Sequence, residues 1–261
     1  MAKLDPRQKA ESIVELFRRR GPIEILPAEL YPANLDEAYA IRSAFQEIEE
    51  TSGRGPIAGY KIGLTTPVMQ KLCGVDEPCY GAIFTSEVHH ARAELSARDY
   101  CRIGVETEIA LRLGDDLPQG GDLPRLAAAV ESCMAAIELL DDLRHDYTRL
   151  DAAAMVAGNV WNAGVVLGRP VTDWQALDLT GLTARLSING REIGSGISSE
   201  VMGNPLNALA WLADKLSEAG TPLRRGMIVM TGSMVPIQYP AAGDQVLVEV
   251  AELGAAELAL R

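Results

Sequence analysis

Glu106 and Glu108 stand two residues apart in a segment, Ile103 to Leu113, whose alternation is strict. Ile103, Val105, Ile109, Leu111 and Leu113 share one face with Thr107, and Glu106, Glu108 and Arg112 share the other, which predicts a strand. A rise of about 3.4 Å per residue puts the two glutamate Cβ atoms roughly 7 Å apart on one side. Two carboxylates so placed can converge on one ion, with oxygen contacts of roughly 2.0–2.6 Å. The plainer alternative is a solvated face, because antiparallel sheets with one wet side carry glutamate routinely. A third acid, Glu138, interrupts the apolar run Cys133 to Leu140. An unpaired glutamate there is costly, so it needs a partner, an ion or a path to water. Asp141 and Asp142, which end that run, are expected to mark its exit into solvent.

The acids have no soft ligands beside them. Cys73, Cys79, Cys101 and Cys133 form no Cys-x-x-Cys pair and the chain has three histidines, so zinc lacks a ligand set. A hard cation such as Mg²⁺, Mn²⁺ or Ca²⁺ suits carboxylates better. The cysteines read as core fillers in a reducing compartment, and His89-His90 as a surface pair.

Lys61, in Gly59-Tyr60-Lys61-Ile62-Gly63-Leu64-Thr65, is the second candidate. Partly desolvated at a strand end, it could transfer a proton or hold a carboxylate; as a lone lysine it could equally be a solvated surface group. Met230-Thr231-Gly232-Ser233 offers hydroxyls and backbone N–H groups at a turn, which suit a carboxylate but are also ordinary loop chemistry. Gly194-Ser195-Gly196 lacks the third glycine of a dinucleotide fingerprint, and no Gly-x-Ser-x-Gly elbow with a partnered histidine occurs.

These residues need a scaffold, and the chain is long enough to build one. It has 261 residues, 48% hydrophobic and 23% charged, which excludes a disordered chain. A net charge of −12 without a basic stripe argues against nucleic acid. Met1 to Arg20 is charged throughout, unlike a signal peptide, and the longest apolar run, Ala152 to Gly168, is broken by Asn159 and Asn162. A soluble cytoplasmic protein, with no membrane partner, is expected.

Helices are predicted over Pro6 to Arg19, from an Asn34 cap to near Gly53, over Pro67 to Leu72, and from Asn204-Pro205 to Gly220. Leu126 to Leu140 reads as helical at first and extended around Ala136 to Leu140. Strands are predicted at Ile57 to Leu64, Val165 to Leu167, Met227 to Met230, Gln245 to Val250 and Glu257 to Leu260. Asn189-Gly190 forms the turn of a hairpin from Thr183 to Ile193. The layout is α+β: an N-terminal helical region, residues 1–55, and a β-rich body, residues 56–261, with a single continuous domain as the alternative.

Six segments in this order carry a resemblance. They are Ala38 to Arg42, Gly59 to Thr65, Val105 to Ala110, Ala136 to Asp141, Gly203 to Leu209 and Thr231 to Ser233. Together they resemble the hydratase/decarboxylase branch of the fumarylacetoacetate hydrolase superfamily, the branch of the 2-oxopent-4-enoate hydratases, from about Leu35 onward. The resemblance implies a mixed β-roll or sandwich, a homo-oligomer, and a Mg²⁺ or Mn²⁺ site on Glu106, Glu108 and Glu138. It places the active-site lysine on Lys61 and substrate contacts on Leu64, Thr65, Thr231, Gly232 and Ser233. The implied reaction adds water to a 2-hydroxy-2,4-dienoate to give a 4-hydroxy-2-oxo acid, as in the catabolism of aromatic compounds.

Two departures bear on that expectation. Glu77-Pro78-Cys79-Tyr80-Gly81 has cysteine where the branch shows an aspartate, and Gly158 to Ala163 replaces Asp-Asn-Ala-Ser, with Trp161 expected to narrow the pocket. The missing acid keeps open decarboxylation of a vinylogous 2-oxo diacid of the 4-oxalocrotonate type. A third possibility is a non-catalytic subunit associated with a pathway decarboxylase or hydratase. Hydrolytic C–C cleavage is disfavoured, because no histidine in the N-terminal part is placed to activate water.

Overall fold

The computed structural model describes residues 4–261; Met1 to Lys3, part of the charged N-terminal stretch, lie outside them. Helix α1, Pro6–Arg18, opens on a reciprocal cap: Asp5 accepts from the Gln8 N–H, and the Gln8 side chain accepts from the Asp5 N–H. Helix α2, Leu35–Glu49, is capped by Asn34, which accepts from the Glu37 N–H at 2.9 Å. The other helices are α3, Pro67–Leu72, α4, Leu123–Ala129, α5, Ala152–Ala157, and α6, Pro205–Glu218.

Thirteen strands fall into two sheets among the described residues. The larger contains β1 (Ile57–Gly63), β2 (Cys79–Phe84), β3 (Val88–His90), β5 (Ile103–Leu113), β6 (Val130–Asp141), β7 (Asn162–Leu167), β10 (Ile228–Met230) and β11 (Val235–Gln238). Its order is β2-β1-β10-β5-β6-β7-β3, with β11 added to β5. The smaller contains β4 (Arg92–Leu95), β8 (Thr183–Ile188), β9 (Arg191–Ile197), β12 (Gln245–Val250) and β13 (Gly254–Leu260), in the order β4-β13-β12-β8-β9. The β8–β9 hairpin turns on Asn189 and Gly190, at φ 53° and 77°, the pair of positive values a type I′ turn requires. Curled mixed sheets with helices at the N-terminal side match the α+β expectation.

Three expectations are corrected here. The segment after Ala129 is not helical: β6 begins at Val130 and runs unbroken between β5 and β7. Its small residues have good helix propensity, but hydrogen bonding to a strand on each side outweighs it. Nor is the glutamate face of β5 wet. Its Ala110 packs with Met134, Ala136, Val165 and Met230 in a buried cluster, while Val105 and Ile109 on the other face meet the smaller sheet and the α6 side. Asp142 likewise does not mark an exit to solvent; it is fully buried, bound by the Arg102 guanidinium and by the Tyr239 hydroxyl at 2.8 Å.

Between α5 and β7 the chain makes a left-handed turn: Asn159, Val160 and Trp161 have φ of 54°, 46° and 57°. Such a conformation costs roughly 1–2 kcal/mol per L-residue, and most for a β-branched one such as Val160. The Asn159 side chain holds it. Its Oδ1 accepts from the Ala82 N–H at 2.8 Å and from Gln46 Nε2 at 3.0 Å, and its Nδ2 donates to the Ala82 carbonyl at 2.9 Å. Asn159 therefore serves strand β2 as a substitute for a neighbouring strand, and Gly81 leaves room, since a Cβ there would collide with the Asn159 carbonyl. Asn159→Ala would strand the buried N–H and carbonyl of Ala82, an expected loss of about 2–4 kcal/mol, read as a lower midpoint in urea unfolding; an unchanged midpoint would show that the turn holds itself.

Candidate active site

Strand pairing brings the three glutamates together. In the β5–β6 ladder Glu106 lies directly opposite Glu138, and Glu108 opposite Ala136, so all three side chains leave the same face. One oxygen of each lies within 4.8 Å of the others, the one acid cluster of this kind among the described residues. Lys61 reaches the same face from β1, through β10, in register with Met230 and so with Ala110. Its ammonium is 2.9 Å from Glu138 Oε1, with both side chains withdrawn from water.

Polar partners satisfy only part of this group. Glu138 Oε1 accepts from Lys61 and from Asn162 Nδ2 at 3.0 Å, and Glu108 Oε2 accepts from the Gly232 N–H at 2.8 Å. Glu138 Oε2 and Glu108 Oε1 are buried without a hydrogen-bond partner. Burial, and then the nearby Glu138 charge, push the Glu106 carboxyl up to about 7; burial and the other two acids raise Glu108 well above the usual carboxylate range. Lys61 is held above its ordinary value: burial opposes its charge, but Glu138 and Glu106 outweigh that loss. Were all three acids ionised, one ammonium would leave two negative charges in a site shielded from water, and like charges opposed across a ladder are destabilising. A divalent cation would balance them, and two unpartnered carboxylate oxygens are ready donors for a hard one. The residues fit Mg²⁺ or Mn²⁺.

The face opens into a cavity of ≈ 630 Å³ that Lys61, Glu106, Leu64, Thr65 and Ser233 help to line. Leu64 turns the chain out of β1 with φ 57°, and its carbonyl accepts from Gln70 Nε2 at 2.9 Å. The Ser233 hydroxyl donates to the Val235 carbonyl at 2.7 Å. Thr231 and Gly232 do not line the cavity. Thr231 is fully buried and donates to the Ile109 carbonyl, and Gly232 orients Glu108 instead. Cys79 lies beside Lys61 on β2, its thiol pushed up to about 12 by burial, so it is neutral at physiological pH.

Asn162, which the sequence expectations do not place at the site, donates to Glu138. Its signal was present: Asn159 and Asn162 are the polar breaks in an apolar run, and buried amides need partners. Both hold the site, one through the turn and one through the acid.

Comparison with known proteins identifies relatives of this chain. The chain is 38% identical over 209 residues to a 2-keto-4-pentenoate hydratase of Burkholderia vietnamiensis, covering 79% of each. It is 34% identical over 215 residues to a 2-hydroxyhexa-2,4-dienoate hydratase of Comamonas testosteroni, covering 81% of this chain and 80% of that one. In fold it matches a 4-oxalocrotonate decarboxylase of Pseudomonas putida G7 complexed with magnesium and adipate, with a TM-score of 0.90 at 23% identity over 98% of this chain and 97% of the other. The chain is an enzyme of the lyase class. It belongs to the fumarylacetoacetate hydrolase family, whose C-terminal domain description matches residues 77–261. Among the described residues no helix is long and apolar enough to cross a membrane.

Proposed function

We propose that this lyase hydrates a 2-hydroxy-2,4-dienoate to a 4-hydroxy-2-oxo acid. The observation that carries this reading is the triad of the partly buried Glu106 with the buried Glu108 and Glu138, with two unpartnered oxygens, one ammonium beside it and a cavity in front. The identity to relatives named as hydratases supports water addition. The three acids would hold Mg²⁺ or Mn²⁺, which when bound supplies a Lewis acid for the C1 carboxylate and C2 oxygen of the substrate.

Lys61, charged and excluded from water, moves the proton. Its Nζ gives one to C5 of the dienol, and the proton leaving the C2 hydroxyl restores it, so the double bond shifts to C3–C4 in conjugation with the new ketone. Water oxygen then bonds to C4 and a proton to C3, which balances the addition. Thr65 and Ser233 seat the carboxylate end beside Lys61. Cys79 holds its proton too tightly to act as a base, so the water is activated without a side chain from that position.

Decarboxylation of a 4-oxalocrotonate-type diacid is the second reading, favoured by the same Cys79, since loss of CO₂ needs no group to activate water. Incubation with 2-hydroxypenta-2,4-dienoate and, separately, with the diacid, with and without Mg²⁺, separates the two by NMR. Hydration predicts 4-hydroxy-2-oxopentanoate from the first and no CO₂ from the second. CO₂ release alone would overturn it, and turnover in neither case would point to a non-catalytic subunit.

A further inference from the structure

For the hydration proposed above, we infer that the substrate is a monocarboxylate carrying an apolar tail of several carbons on C5, and that dicarboxylates are disfavoured. The charged groups lining the cavity are Lys61 and Glu106 at its closed end and Glu200 on its exposed side. Lys61 is engaged by Glu138, so among the described residues that line the cavity no cation is left to receive a second carboxylate, and Glu200 would repel it. From the acids outward the wall is largely apolar, with Met155, Val160 and Trp161 on one side and Val68, Met69 and Leu72 of α3 on another, interrupted by the hydroxyls of Thr65, Thr66, Tyr147 and Ser233. Val68 and Leu72 are 77% and 55% exposed, large apolar side chains held open at the mouth rather than packed.

A five-carbon dienoate held by C1 and C2 at the acids would occupy a small part of ≈ 630 Å³ and leave these side chains uncovered. A longer chain running from C5 toward α3 would cover them. The left-handed turn that thrusts Val160 and Trp161 into the wall fixes one boundary of this tail site at a conformational cost, as strained backbone at binding sites often does.

Binding of unreactive 2-oxo acids tests this without turnover. Calorimetry with the Mg²⁺-loaded protein compares 2-oxopentanoate, 2-oxooctanoate and 2-oxooctanedioate. Each buried methylene is expected to tighten binding by about fourfold, so 2-oxooctanoate should bind at least tenfold tighter than 2-oxopentanoate and tighter than the diacid by more. Leu72→Asp, at an exposed position, should lower the octanoate-to-pentanoate preference by at least fourfold. If 2-oxopentanoate binds but the longer acid gains nothing, or the diacid binds as well, the tail site is refuted and the hydration reading stands. If none of the three binds, the hydration reading fails and takes the tail site with it.

Discussion

Glu106→Gln is expected to lower kcat/KM by at least about 100-fold, the scale of losing one preorganised electrostatic contact at a reacting centre, and yet to stabilise the metal-free protein above neutral pH. Glu106 faces Glu138 across the ladder, and burial and that charge lift its carboxyl to about 7. In the unfolded chain it ionises near the ordinary value of 4.5. Between those values the folded state holds a proton that the unfolded state has lost, so this group's contribution to stability is complete below about 4.5 and disappears as the pH rises through about 7. Glutamine cannot ionise, so the variant escapes that loss. After chelation, wild type should melt at a lower temperature at pH 8 than at pH 6, with a smaller difference in the variant. Adding Mn²⁺ should reverse the order at pH 8, because the ion stabilises only the folded state that binds it. Equal melting of both proteins at every pH, with and without ion, would show that the acids neither repel one another nor share a cation.

Lys61→Met should act on the opposite side of the balance. Loss of a positioned proton donor is expected to reduce kcat by about 10²–10⁴-fold. Mn²⁺ binding should survive, because three acids without the ammonium attract a cation more strongly. Without the ion, Glu138 would be left charged, buried and supported only by Asn162, an expected destabilisation of about 3–5 kcal/mol. Mn²⁺ should therefore raise the melting temperature of this variant more than that of wild type. The double variant Lys61→Met with Glu138→Gln should recover much of the metal-free stability, since removing both charges removes the mismatch. Turnover by Lys61→Met at a rate near wild type would exclude Lys61 from proton transfer. Together the two variants separate the group that binds from the group that moves a proton.

Much of this was legible in the chain because it follows from local pattern. Alternation put Glu106 and Glu108 on one face, Asn189-Gly190 marked the hairpin, and Asn34 and Asn204-Pro205 marked helix starts. The convergence of Glu138 was not local. It depends on β5 and β6 pairing in the register that sets Glu106 against Glu138, and no spacing in the sequence specifies that register. The same ambiguity makes Val130 to Ala135 read as helix, because small residues fit either a helix or a strand enclosed on both sides. The glutamate face read equally well as wet, since alternation reports two unlike faces but not whether the polar one meets water or a cavity. The turn at Asn159 to Trp161 escaped notice for a different reason: its positive φ values fall on residues other than glycine and are sustained by a hydrogen bond to Ala82, distant along the chain. Thr231 and Ser233 are both small hydroxyl residues in the turn after β10, a pattern that does not say which of them faces the cavity; the buried Thr231 hydroxyl turns to the Ile109 carbonyl, while Ser233 lines the cavity.

The most direct test is a crystal soaked in Mn²⁺ and measured at the manganese absorption edge. The account predicts one anomalous peak per chain, ligated by oxygens of Glu106, Glu108 and Glu138 and absent from the Glu106→Gln crystal. A wild-type crystal showing no peak there, with Glu108 and Glu138 still holding unpartnered oxygens, would contradict it.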